Sequence, residues 1–111
     1  MESSTRGWPE PPYHVAILKV ARTAEDADGY VKTLAHIIDL AQHQPGYLGR
    51  ESATTSDGEE LTIIYYTDEQ SIRNWHDDPE HLAAQHLARS RWYESYEVRI
   101  ARVERSYRYH Q

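Results

Sequence analysis

The segment from His76 to His81, His-Asp-Asp-Pro-Glu-His, holds the densest group of side chains able to bind a metal or move a proton. Its two histidines are five residues apart and so lie on different faces of a helix. No third histidine follows at the spacing of a zinc site. We therefore predict no metal site and interpret most of the segment as a solvated loop. We expect His81 to point into a pocket as a base or hydrogen-bond donor; the alternative is a structural role at a helix end.

Aromatic side chains with polar tips form the second candidate group. The chain has nine Tyr, three Trp and no Phe, so every aromatic ring carries a polar atom that needs a partner when buried. Such rings suit an aromatic ligand or a porphyrin; the alternative, for any one of them, is a place in the core. We predict that six of them line a pocket between helices and a sheet: Tyr65, Tyr66, Trp75, Trp92, Tyr93 and Tyr96.

Composition excludes several classes of function. The net charge of −6 argues against nucleic-acid binding, which needs Lys and Arg to neutralise phosphates. The absence of Cys excludes disulfides, iron–sulfur clusters and thiol nucleophiles. No apolar run reaches the ~20 residues of a membrane helix, and the N-terminus does not resemble a signal peptide. We therefore expect a cytoplasmic protein without membrane contact.

These candidate residues must be positioned by four strands and two helical regions. Runs of β-branched and apolar residues bounded by turn signals predict strands at residues 13–21, 47–55, 61–67 and 96–107. A shift of phase in the last strand predicts a bulge. A weak capping box at residues 23–26 opens a helix that continues to about residue 44. Its predicted inner face consists of Val31, Leu34, Ala35, Ile37, Ile38, Leu40 and Ala41.

The second helical region is interrupted by a proline. Residues 68–76 predict a short helix and residues 79–93 a further helical stretch, with Asp78-Pro79 between them. The element order is then β-α-β-β-α-β, the split βαβ arrangement of a ferredoxin-like α+β domain. That architecture is a four-stranded antiparallel sheet with helices on one face.

Several predicted strands are apolar on both faces. In the first strand one alternating set contains Val15 and Ile17, and the other contains Ala16, Leu18 and Val20. Because helices cover only one face, a second surface must cover the other. We predict a homodimer in which the two sheets face each other; ordinary partial exposure is the alternative. Residues 1–12, rich in Pro, predict an extended arm that crosses to the partner, and residues 13–111 form the domain.

Three stretches of the chain carry a resemblance to a known family. The segment Gln44-Pro45-Gly46-Tyr47-Leu48-Gly49 resembles the "PGF-G" signature of the antibiotic biosynthesis monooxygenase-like family. Residues 65–69 with Trp75, His81 and Ala84 resemble its second-helix region, and residues 91–105 are similar to the ending of a subgroup of small bacterial members. The resemblance covers roughly residues 13–107. It implies a dimeric α/β barrel.

The resemblance also implies a choice of chemistry. Some members oxidise polyketide-derived aromatics with O₂ and without metal or flavin, others bind and degrade haem, and others have no known reaction. The haem degraders have a helix tryptophan followed about ten residues later by the histidine that ligates iron. Here Trp75 is followed by His86, one residue further. Their asparagine on the first strand has no counterpart, since the chain has Ile17, Leu18 and Lys19 there.

We therefore predict a small monooxygenase-like protein that binds an aromatic or porphyrin-like ligand and oxygenates it without a cofactor. The predicted catalytic residues are His81, Tyr65 and Trp92, and the predicted pocket residues are Tyr66, Tyr93 and Tyr96. One alternative is a non-catalytic dimeric protein that binds a small molecule or serves a pathway as an accessory. A second alternative is a haem-degrading monooxygenase, with His86 as iron ligand and Trp75 against the porphyrin.

Overall fold

The computed structural model describes residues 9–109 and 111, and in them one antiparallel sheet is covered by helices on one face. The elements in chain order are β1 (Tyr13–Arg22), α1 (Ala27–Ala41), β2 (Tyr47–Thr54), β3 (Glu60–Tyr66), α2 (Glu69–His76), α3 (Pro79–Leu87) and β4 (Tyr93–Val103). The strand order is β2-β3-β1-β4, with each neighbouring pair antiparallel. The predicted ferredoxin-like α+β fold is confirmed. The first eight residues of the predicted N-terminal arm lie outside the described residues.

The inner face of α1 differs from the predicted one. Tyr30 is buried, whereas Val31 is 59% exposed, and Ala35 is also exposed. The helix does not start from a capping box at Thr23. Its N-cap is Asp26, whose carboxylate accepts a hydrogen bond from the main-chain N–H of Gly29. The prediction missed Tyr30 because burial of a tyrosine requires a hydrogen-bond partner for its hydroxyl. That partner is Glu60, thirty residues away, and the sequence of the helix does not reveal it.

The turn at Pro45-Gly46 connects α1 to β2 and requires glycine. Gly46 has φ of +86°, and a Cβ there would lie 2.0 Å from the hydroxyl oxygen of Ser71. Ser71 is in the first turn of α2, where its N–H donates to the capping carboxylate of Asp68. The turn and the start of α2 therefore pack directly on each other. This close contact explains why residue 46 is a glycine in the segment 44–49, which carries the family resemblance.

The helical stretch predicted for residues 79–93 consists of two segments. Helix α3 ends at Leu87 and continues as a π-helical segment, Ala88–Trp92, while β4 starts three residues earlier than predicted. The bulge also lies earlier: pairing with β1 is continuous over residues 95–103, and the register shifts at Glu94. This extra residue brings Tyr93 onto the same side of the sheet as Tyr96. Both rings therefore lie on the helix-facing side.

The helix-facing side of the sheet carries two buried clusters. One contains Ala16, Ala41, Tyr66 and Trp75. The other lies between the start of α1 and the π-helical segment and contains Tyr30, Ala88 and Trp92. Strand β1 is buried on both faces, since Val15 and Ala16 are 5% and 6% exposed. Within the part of the chain that the structure describes, no helix has the length and apolarity needed to cross a membrane.

Candidate functional site

A cavity of about 60 Å³ lies between α1 and the wall formed by α3 with the π-helical segment. It is partly open to solvent. Its apolar walls include Leu34, Ile37, Ala84 and Ala88, and its polar-tipped residues are Tyr30, His81, Trp92 and Tyr93. The cavity therefore combines an apolar interior with a few groups able to hydrogen-bond, the usual character of a small-molecule site.

Three of the residues predicted from sequence meet at this cavity: His81, Trp92 and Tyr93. Two others lie in the core beside it. Tyr66 is 2% exposed and packs in the cluster under α2. Trp75 is 4% exposed and lies behind the cavity, where its ring stacks on His81.

The remaining three predicted residues are not among those that line the cavity. Tyr65 pairs with Val15 on the opposite face of the sheet, and its hydroxyl donates a hydrogen bond to Glu51. Burial and this hydrogen bond raise the pKa of Tyr65 to about 12. Tyr96 is 47% exposed on β4. His86 is exposed on α3, with its Nδ1 3.4 Å from the guanidinium of Arg89.

The break between α2 and α3 decides which histidine reaches the cavity. Asp78 caps α3 by accepting hydrogen bonds from the N–H groups of Glu80 and His81. The new helix axis places His81 against Trp75, with ring centroids 4.2 Å apart and planes 13° from parallel. One unbroken helix would have placed Trp75 and His86 on nearly the same face. The capped break removes that geometry.

His81 is held as one particular tautomer. Its Nδ1 lies 2.9 Å from the carbonyl oxygen of Trp75, and because a carbonyl only accepts, Nδ1 carries the proton. In the neutral ring Nε2 then has a free lone pair, and none of the hydrogen bonds among the described residues uses it. Burial lowers the pKa of His81 from its ordinary 6.5. At neutral pH the ring is thus an uncharged base with one nitrogen anchored and the other available.

Tyr30, which lines the cavity, belongs to a charged network that the sequence analysis missed. The hydroxyl of Tyr30 donates to one oxygen of Glu60 at 3.0 Å, and Arg22 donates to the other oxygen at 3.0 Å. The guanidinium of Arg22 also lies 3.8 Å from the centre of the Tyr30 ring. Burial, followed by the nearby Tyr93 and Glu60, raises the pKa of Tyr30. The Tyr30 side chain therefore stays a neutral phenol. Glu60 holds its hydroxyl and Arg22 covers one face of its ring.

Trp92 presents an unsatisfied donor beside this network. The side chain is 2% exposed and packs edge-on against Tyr30, with ring centroids 5.6 Å apart. Its Nε1–H has no acceptor among the described residues. A buried N–H without a partner costs roughly 1–3 kcal/mol. The Nε1 atom is closed to solvent, so a ligand or water acceptor would reach it only after neighbouring side chains move.

The described residues do not provide a metal or haem site. Residues 9–109 contain no group of three or more His, Asp or Glu side chains placed to hold a metal ion. His86, the haem ligand predicted from sequence, is exposed on α3 beside Arg89. A cavity of about 60 Å³ is also far below the roughly 300 Å³ or more of sites for drug-sized ligands. These residues do not fit a porphyrin.

Comparison with known proteins relates this architecture to one family. A family model described as antibiotic biosynthesis monooxygenase matches residues 14–87. The chain is 42% identical over 97 residues to the uncharacterized protein YqjZ of Bacillus subtilis (strain 168). The aligned residues make up 87% of this chain and 84% of YqjZ.

Solved structures share the fold at low sequence identity. SnoaB of Streptomyces nogalater, a cofactor-independent oxygenase, is 14% identical with a TM-score of 0.71, covering 86% of this chain and 97% of SnoaB. Protein SO0527 of Shewanella oneidensis is 13% identical with a TM-score of 0.71, covering 83% and 91%. These similarities support the architecture alone, because one fold hosts many activities.

Proposed function

Because this chain belongs to the antibiotic biosynthesis monooxygenase family, we propose that it is a cofactor-independent monooxygenase acting on a phenol bound between α1 and α3. The observation that carries the proposal is the state of His81. Its Nδ1 is anchored on the Trp75 carbonyl, its ring is neutral, and it lines the cavity with an Nε2 that no hydrogen bond among the described residues uses. That arrangement is what a general base requires.

The proposed reaction begins when Nε2 of His81 removes the hydroxyl proton of the phenol. The phenolate gives one electron to O₂, which produces a phenoxyl radical and superoxide. These combine by forming a bond between a ring carbon and oxygen, and the proton on His81 converts the product to a hydroperoxide. Loss of the ring C–H proton breaks the O–O bond, releases water and leaves a carbonyl. Overall, one phenol and one O₂ give one quinone and one water.

Oxygen uptake tests the proposal directly. The purified protein should consume O₂ with an electron-rich phenol, such as 1,4-hydroquinone or 2-methoxyphenol, faster than the same solution without protein. With ¹⁸O₂ and the methoxyphenol, mass spectrometry should find one labelled oxygen atom in each product molecule. Uptake no faster than the protein-free rate across a panel of phenols would contradict the proposal. Addition of a chelator should leave the rate unchanged.

The second candidate is a non-catalytic protein that holds a small molecule in the same cavity. The buried Nε1–H of Trp92, which has no acceptor among residues 9–109, favours it, because a bound oxygen that reached this donor would satisfy it without any reaction. Phenol binding without O₂ uptake would support this candidate over the oxygenase.

We further propose that the protein acts as a homodimer in the cytoplasm. In it the two sheets are in contact through the faces that the helices do not cover. Support comes from apolar side chains on that face: Ile17 of β1 pairs with Ile63 of β3, and Tyr65 lies beside them, all half-buried. Light scattering after size exclusion should give twice the mass of the single chain. Replacing Ile63 by Glu should give the single-chain mass, whereas Glu at exposed Val31 on α1 should not. A wild-type monomer would contradict this assembly.

A further inference from the structure

The size of the cavity narrows the class of ligand that the proposed function requires. The cavity measures about 60 Å³, whereas a cavity of about 150 Å³ encloses benzene. Because the cavity is partly open, a single ring can enter by displacing side chains. Two or three fused rings need a larger displacement than a single ring, so their binding costs more of the packing between α1 and α3.

Two alanines set this size from the α3 side. Ala84 and Ala88 are one helical turn apart and therefore lie on the same helix face, opposite Leu34 of α1 across the cavity. Ala84 is half-buried and Ala88 is 5% exposed. Any larger side chain at either position would occupy space that a ligand needs. Ala83 is adjacent in sequence but exposed to solvent, outside the cavity lining.

The polar groups of the cavity indicate that the ligand carries oxygen. Trp92, 2% exposed and part of the cavity wall, has a buried Nε1–H for which the described part of the chain supplies no acceptor. His81 offers an unprotonated Nε2 that can accept a proton. A phenol oxygen can both accept a hydrogen bond and give up a proton. A hydrocarbon ring of the same size leaves the indole N–H unsatisfied.

We propose that Ala84 and Ala88 are specificity-determining residues that restrict the ligand to a single-ring phenol and exclude fused-ring phenols. The inference rests on the proposed function and narrows its substrate. In this proposal the space between α1 and α3 selects the ligand by its size. The polar groups of His81 and Trp92 then act on any ring that fits.

Calorimetric titration under nitrogen tests the inference without turnover, using phenol, toluene and 1-naphthol as probes. The wild-type protein should bind phenol at least tenfold more tightly than either 1-naphthol or toluene. Ala84→Leu should weaken phenol binding at least tenfold, whereas the matched control Ala83→Leu should leave it unchanged. Leu34→Ala enlarges the cavity from the α1 side and should tighten 1-naphthol binding at least tenfold. Circular dichroism establishes that each variant is folded.

Two results would overturn the size limit while the proposed function stands. One is wild-type binding of 1-naphthol as tight as that of phenol; the other is unchanged phenol binding in folded Ala84→Leu. If Ala84→Leu does not fold, the response of Leu34→Ala to 1-naphthol decides the question, and no gain there overturns the proposal. If phenol binds no variant and the wild type consumes no O₂ with any phenol, the proposed function fails and the size limit fails with it.

Discussion

Replacing His81 by Asn is expected to lower the rate of phenol-dependent O₂ consumption by roughly 10²–10⁴-fold, the usual contribution of a general base. The Asn amide can still donate a hydrogen bond to the Trp75 carbonyl, which preserves the anchoring seen for Nδ1. It has no basic nitrogen, so the proton of the phenol has no acceptor. The rate is measured with an oxygen electrode at saturating phenol. The matched control is His86→Asn, because His86 is exposed on the same helix.

The pH dependence of the wild-type rate provides an independent check on His81. Burial lowers the pKa of His81 below its ordinary 6.5, so the neutral, active form predominates at pH 7. The rate should be steady near neutral pH and fall as the pH decreases through that lowered pKa. An acid limb with its midpoint above 6.5, or a His81→Asn variant with wild-type activity, would show that another group takes the proton.

Replacing Trp75 by Ala is expected to reduce the free energy of unfolding by about 3–5 kcal/mol, the usual cost of removing a large buried aromatic side chain. Trp75 is 4% exposed and packs in the cluster with Tyr66 and Ala16. Domains are typically stable by only about 5–15 kcal/mol, so the variant loses a large share of the total. Urea denaturation followed by circular dichroism measures the change.

Trp75→Phe separates the packing role of this residue from its contact with His81. A phenyl ring retains part of the buried volume and can still stack on the imidazole, so the loss of stability should be smaller than in Trp75→Ala. The carbonyl that anchors His81 belongs to the main chain and remains in both variants. Trp75→Phe should therefore keep most of its O₂ consumption. A loss of less than 1 kcal/mol in Trp75→Ala would contradict the structural role.

Local sequence patterns identified the elements that build the site. The strands are recognisable because alternation of side chains is a property of consecutive residues, and β1 is indeed buried on both faces at Val15 and Ala16. The turn between α1 and β2 is marked by Pro45-Gly46, whose backbone geometry depends on those residues themselves. The sequence also predicted the helix break, because Asp is a good N-cap and Pro is favoured in the first turn of a helix.

Three of the predicted residues line the cavity, and each is brought there by such local features. His81 follows the break by one turn, and Trp92 and Tyr93 lie where α3 gives way to β4, so all three reach the cavity. Tyr65 and Tyr66 are adjacent on one strand and necessarily face opposite sides. Only the packing of helices on one side shows which of the two is in the core.

The sequence by itself determined the β-α-β-β-α-β order, the turn at Gly46 and the position of the break before His81, because each depends on residues close together in the chain. Only the tertiary structure decided that Tyr30 faces inward, since its hydroxyl is satisfied by Glu60, thirty residues away. It likewise decided that His81 rather than His86 lines the cavity, because the new axis of α3 sets the direction of both side chains. Contacts between distant residues depend on how whole elements pack, and no local pattern of side chains encodes that packing.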